Sequence, residues 1–152
     1  MAIRNIVKLG DPILSKKSRP VENFDGKLFT ILDDMKDTLY KAQGAGLAAV
    51  QVGILRRIVV MDCGDGYLEL INPEIIEKSE EVQHETEGCL SLPGKFGVTE
   101  RPKSVIVKAQ NREGKWCLYK GEDLKARCFC HELDHLEGIL YTSHLVGELE
   151  SE

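Results

Sequence analysis

Leu124-Lys125-Ala126-Arg127-Cys128-Phe129-Cys130-His131-Glu132-Leu133-Asp134-His135-Leu136 is the stretch on which the fold turns. Leu124, Cys128, His131 and His135 recur at helical spacing on one side, and Ala126, Phe129, Leu133 and Leu136 form a second apolar stripe. Only Arg127, Cys130, Asp134 and Glu137 are left for the remaining side. A segment apolar over most of its circumference predicts a central, buried helix, here starting from about Gly121. Imidazoles on the inner face of such a helix need partners there. His131 and His135 stand at i and i+4, so both reach one ion, and Glu132 is then placed as a base beside a metal's water.

The plainer alternative is two core or surface histidines, since HExxH occurs by chance. A mononuclear catalytic site also needs a third protein ligand and an open position. In the longer pattern HExxHxxGxxH, Gly138 fits, but Tyr141 stands where the last His belongs, and His144 comes three residues too late. A third ligand therefore lies elsewhere. Of the cysteines Cys63, Cys89, Cys117, Cys128 and Cys130, only Cys89 sits in a run that looks built for a site, Glu87-Gly88-Cys89-Leu90-Ser91-Leu92-Pro93. Gly88 removes bulk beside the thiol, and Pro93 is expected to end the extended segment and leave nearby backbone groups free. The other four read as small buried hydrophobes.

Working outward, Asp25 is a plausible cap for a helix in which Leu28, Ile31, Leu32, Met35 and Leu39 repeat, with Gly44 and Gly46 ending it. Arg57 to Asp62 and Tyr67 to Ile71 read as strands, and Pro73 through Thr86 as a long edge or hairpin. Val105 to Ala109 and Trp116 to Tyr119 flank Asn111-Arg112-Glu113-Gly114 as a hairpin. Helix, strands and hairpins, then helix predict an α+β protein with antiparallel sheets packed around a central buried helix carrying HExxH. With no repeat or low-complexity linker, residues 1–152 are expected to form one domain.

Composition narrows the function classes. Hydrophobic residues make up 42% and charged residues 30%, ordinary for a globular enzyme. A net charge of -5 without a dense basic cluster gives no footprint for DNA or general nucleic-acid binding. Met1 to Lys8 is too broken by charge for a signal peptide, and no apolar run approaches the roughly 18 residues of a membrane span. A cytoplasmic protein is expected, and five cysteines without a secretion signal point to reduced thiols.

Three runs, Gly44-Ala45-Gly46-Leu47-Ala48-Ala49-Val50-Gln51, Glu87-Gly88-Cys89-Leu90-Ser91 and His131-Glu132-Leu133-Asp134-His135, together resemble the three signature motifs of the peptide deformylases, in the same order. The similarity extends through Gly97-Val98-Thr99-Glu100-Arg101-Pro102 and His135-Leu136-Glu137-Gly138-Ile139-Leu140. In the first motif Val50 stands where that family usually has proline, which is expected to loosen the loop that aims Gln51.

The resemblance implies a hydrolase that removes the formyl group from N-formylmethionyl peptides and nascent chains and releases formate. Cys89, His131 and His135 would hold one divalent metal. Ferrous iron is expected from the family, while Zn²⁺, Ni²⁺ and Co²⁺ suit the same ligands. Glu132 would move the proton. The Gln51 amide and the Leu90 N–H would stabilise the developing oxyanion. Gly44, Ala45, Gly46 and Gly88 would pair with the peptide backbone, and Leu124 and Cys128 would receive the methionine side chain. Glu87 and Arg101 are expected to pair across strands. Many family members carry a basic C-terminal helix that docks on the ribosome; here Val146 is followed by Gly-Glu-Leu-Glu-Ser-Glu, so docking by that route is not expected. A monomer is expected. A metallopeptidase fits less well because of Tyr141 and the small size, and a non-catalytic metal-binding module less well because nothing catalytic is missing.

Overall fold

The computed structural model describes residues 2–151, so the two end positions of the expected 1–152 domain lie outside the described residues. The Asp25 carboxylate accepts a hydrogen bond from the Leu28 N–H at 3.2 Å and opens helix α1 (Gly26–Lys41). The helix stops before Gly44: Gln43 takes the left-handed turn at φ 57°, and Gly46 already belongs to the next strand. Leu28, Leu32, Met35 and Leu39 are the apolar stripe of α1 and are all buried.

Eight strands follow one another as β1 (Gly46–Ala48), β2 (Ile58–Asp62), β3 (Tyr67–Lys78), β4 (Val82–Cys89), β5 (Leu92–Pro102), β6 (Ser104–Gln110), β7 (Trp116–Glu122) and β8 (Glu150–Ser151). They form two antiparallel sheets, one of five strands in the order β1-β2-β3-β6-β7 and one of three in the order β4-β5-β8. Helix α2 (Leu124–Leu136) lies between them.

Strand β2 shows why the five-stranded sheet has two apolar faces. Ile58 and Val60 pack with Leu28, Leu32, Met35 and Leu39 of α1, whereas Val59 and Met61 pack with Ala126, Phe129, Leu133 and Leu136 of α2. Successive side chains of a strand point to opposite faces, so Ile-Val-Val-Met serves both layers at once.

Three local expectations change. Pro73 through Thr86 is not a hairpin: β3 runs on to Lys78 beside β2 and β6, and β4 pairs along its length with β5 in the other sheet. Pro93 does not end an extended segment but lies near the start of β5. The motif helix starts at Leu124 rather than Gly121, because β7 stays paired with β6 as far as Ser104 and Glu122. Gly138 turns the chain at φ 76°, where a Cβ would meet the Ser15 carbonyl oxygen at 2.5 Å, so the position is closed to a side chain on both counts.

Candidate metal and hydrolytic site

The site is built where α2, the end of β4 and the β1 segment converge. The candidate ligand atoms of Cys89, His131 and His135 all lie within 4.8 Å of one another, and Cys89 Sγ is 3.3 Å from His135 Nε2. Ligands about 2.0 to 2.3 Å from one ion stand roughly 3.5 Å apart in a tetrahedron, so this spacing fits a single metal. His131 Nδ1 lies 3.0 Å from Glu87 Oε1, which fixes the ring and turns Nε2 toward the cluster.

Electrostatics also favour a cation there. Burial pulls His131 down, but Glu132, Cys89 and Glu87 outweigh it and raise its pKa to about 10. The neighbouring His135, lowered to about 3 by burial and by His131, stays neutral with a lone pair to offer. Glu132 is buried, which raises it to about 7, and its Oε1 is a buried oxygen without a hydrogen-bond partner. Oε2 lies 4.0 Å from His131 Nε2, so a carboxyl able to take up a proton near neutral pH stands beside the three ligands.

Gly46 makes room for that carboxyl. A Cβ on Gly46 would lie 2.6 Å from Glu132 Oε2, so the carboxyl rests directly against the backbone of β1. Gln51 follows in a short 3-10 turn (Ala49–Val52). Its Oε1 accepts from the Ala48 N–H at 3.0 Å, and its Nε2 donates to Ser91 Oγ at 3.1 Å and lies 3.6 Å from Cys89 Sγ. Val50 is fully buried and the Gln51 amide is held at both ends, so the expected loosening of this loop is not found.

A cavity of ≈ 440 Å³ opens beside these groups. Gly44, Ala45, Gly46 and Gln51 line one side, Gly88, Cys89 and Leu90 another, and Leu124, Cys128, His131 and Glu132 of α2 the floor. Every residue expected to bind substrate is therefore on one cavity. Leu124 departs from its expected core-facing place: it is 45% exposed, at the first turn of α2 where the sheets no longer cover it.

Behind the ligands lies a buried charge network. Arg101 Nε and Nη2 donate to Glu87 Oε2 and Oε1 at 2.8 and 3.0 Å, and Thr99 Oγ1 donates to Oε2 at 2.5 Å, so the expected Glu87–Arg101 pair is present. Arg101 Nη1 also donates to Asp134 Oδ2 at 2.8 Å, which gives Asp134 a partner that its sequence position did not suggest. Tyr141, in the place of a metzincin histidine, is buried and stacks on His131 with ring centroids 5.7 Å apart. Arg127, on the remaining side of α2, donates to Gln83 Oε1 at 2.7 Å and reaches the cavity rim. Ser91, which steadies Gln51, and Tyr141 were not picked out from sequence; Ser91 was visible only as part of the cysteine run.

The sequence profile of the polypeptide deformylases matches residues 3–150. A peptide deformylase of Finegoldia magna is 54% identical over 154 residues, covering 100% of this chain and 95% of that protein. The crystal structure of the Thermotoga maritima peptide deformylase superposes with a TM-score of 0.94 at 42% identity, covering 97% of this chain and 100% of the other. The Ehrlichia chaffeensis peptide deformylase, solved in complex with actinonin, gives 0.93 at 38% identity, with coverage of 95% and 90%. No helix among the described residues is long and apolar enough to cross a membrane. With the Cys-His-His cluster, the buried glutamate and relatives alike over the whole chain, this protein belongs to the polypeptide deformylases, metal-dependent hydrolases that remove the N-terminal formyl group from newly made polypeptides.

Proposed function

We propose that residues 1–152 act as one catalytic domain in which Cys89, His131 and His135 hold a single divalent ion, ferrous iron in the cell, with Zn²⁺, Ni²⁺ and Co²⁺ as workable substitutes. The observation that carries this is the closeness of one cysteine sulfur and two buried imidazoles beside a carboxyl with an unpartnered buried oxygen. When bound, the ion supplies Lewis acidity, lowering the pKa of water toward 7 and polarising a carbonyl.

The protein's own groups do the rest. Glu132 takes the proton from the attacking water and returns it to the departing amine, a poor leaving group unless protonated. The Gln51 amide and the Leu90 N–H stabilise the formyl oxygen as it gains charge. Extended peptide backbone lies along Gly44, Ala45, Gly46 and Gly88, and the methionine side chain enters between Leu124 and Cys128. The products are formate and a peptide with a free N-terminal methionine. The enzyme works in the cytoplasm as a monomer, and its substrates are nascent chains that still carry the formyl group.

The test is anaerobic formate release from a formyl-Met peptide by Fe²⁺-loaded protein, with Glu132→Ala and Cys89→Ala in parallel. Activity that collapses in both variants, with metal content kept in the first and lost in the second, is expected. Cys89→Ala retaining its metal and turnover would remove Cys89 from the ligand set.

A further inference from the structure

Outside the metal cluster, two cysteines read from sequence as inert core residues touch each other. Cys63 follows β2 directly and is only partly buried; Cys128 is a buried residue of α2 whose side chain lines the substrate cavity. The two thiols pack in the same apolar cluster, near enough for each to shift the other's proton affinity. Lys125 Nζ, on the first turn of α2, lies 2.9 Å from Asp65 Oδ2 and ties the segment after β2 to the helix, which holds the pair together.

We propose that Cys63 and Cys128 form an oxidisable dithiol in the wall of the substrate cavity, a modification site closed by low-molecular-weight disulfides. Cys63, the more accessible of the two, is also the better nucleophile: the Cys128 thiol beside it lowers its pKa against burial and against the Asp65 and Asp62 carboxylates, with Lys125 offsetting part of their effect, whereas Cys63 and burial push Cys128 up. The Cys63 thiolate attacks one sulfur of the small disulfide, forming a mixed disulfide and releasing one thiolate. Cys128 then attacks Cys63 Sγ, forming the protein disulfide and releasing the second thiol, while its own proton goes to that leaving group. Two protein thiols are oxidised by two electrons and one small disulfide is reduced.

Closure draws Cys128 Sγ toward Cys63 and out of the cavity wall. This consequence rests on the reading that Cys128 borders the methionine pocket, so the expected effect is on substrate binding rather than on the proton transfer at Glu132.

Ni²⁺-loaded enzyme, chosen to keep iron oxidation out of the readout, is incubated anaerobically with oxidised glutathione and mapped by non-reducing peptide mass spectrometry. A Cys63–Cys128 crosslink is expected, with KM for a formyl-Met peptide raised roughly tenfold, kcat changed less, and both restored by dithiothreitol. Cys63→Ser should start with the parental kinetics and not respond. Absence of the crosslink, or an equal loss of activity in Cys63→Ser, overturns the proposal. The mapping needs no turnover, so an inactive parent that still forms the crosslink would count against the deformylase site and not against the dithiol.

Discussion

The two sides of α2 rest on opposite kinds of chemistry. Toward the five-stranded sheet, Ala126, Phe129, Leu133 and Leu136 meet Val59, Met61, Leu70 and Val107, a contact without a charge in it. Toward the three-stranded sheet, His131 and Asp134 meet Glu87, Thr99 and Arg101, all joined by charge-assisted hydrogen bonds in a layer that is buried except at Asp134. Hydrocarbon fixes where the helix sits and tolerates small adjustments; the charged layer is directional and fixes how the ligand rings point. One helix thus takes its position from one sheet and its aim from the other.

The largest expected effect comes from Glu132, at the seam between the two sides, and is functional and almost free of structural cost. Glu132→Gln keeps shape and burial while removing the proton acceptor, so kcat should fall by roughly 100- to 10,000-fold with metal content and thermal midpoint near parental. Formate release and metal analysis on the same preparation check it; a large drop in melting temperature would mean that Glu132 is part of the scaffold instead.

Next come two substitutions on opposite sides with similar costs in stability. Phe129→Ala should cost about 3–5 kcal/mol by opening a cavity, yet leave metal affinity of the folded protein unchanged. Glu87→Gln leaves Arg101 with the half-buried Asp134 as its countercharge, about 3 kcal/mol, the low end for a broken buried pair. It should in addition weaken the metal about 10- to 100-fold, because His131 loses the carboxylate that orients it. Denaturant unfolding and competitive chelation, run on both, separate the sides; equal metal affinity in the two variants would dissolve the distinction drawn here.

A smaller effect, spread over pH, should appear only on the charged side. Burial by itself would raise the Glu87 carboxyl, but hydrogen bonds from His131, Arg101 and Thr99 and the Arg101 charge hold it at about 2, against an ordinary value of 4.5. A depressed folded-state pKa means that the unfolded chain binds more protons in between. The stabilisation is therefore complete above about pH 4.5 and is lost as pH falls from there through about 2. Metal-free protein unfolded with urea across this range should show the decline in the parent and a shallower one in Glu87→Gln.

How much of this was legible before any coordinates depended on the range of the interactions involved. The α2 stripes, the Asp25 cap and the hairpin around Asn111-Arg112-Glu113-Gly114 are set by neighbours within a few residues, and apart from the exposed Leu124 they stand as read. The site residues could be gathered because their motifs are contiguous runs. The parting of β3 and β4 into different sheets could not be read, since both segments alternate alike and their partners, β6 and β5, lie further along the chain. Strand β8 pairs only Glu150 and Ser151 with Phe96 and Lys95, too short a stretch to carry a local signal. Asp134 and Tyr141 took their roles from Arg101 and His131 across space, and Cys63 met Cys128 in the same way.

The two-sided burial of β2 has a practical side. Its sheet is a partition wall, with the metal ligands in one room and α1 in the other. A packing change on the α1 side, at Leu32 or Met35, is separated from the ligand atoms by the thickness of that wall, on the order of 10 Å. The α1 room is therefore where heat resistance can be engineered at positions such as Leu32 and Met35, with Leu39 and Leu90, which meet at Gly44 on the cavity, left alone.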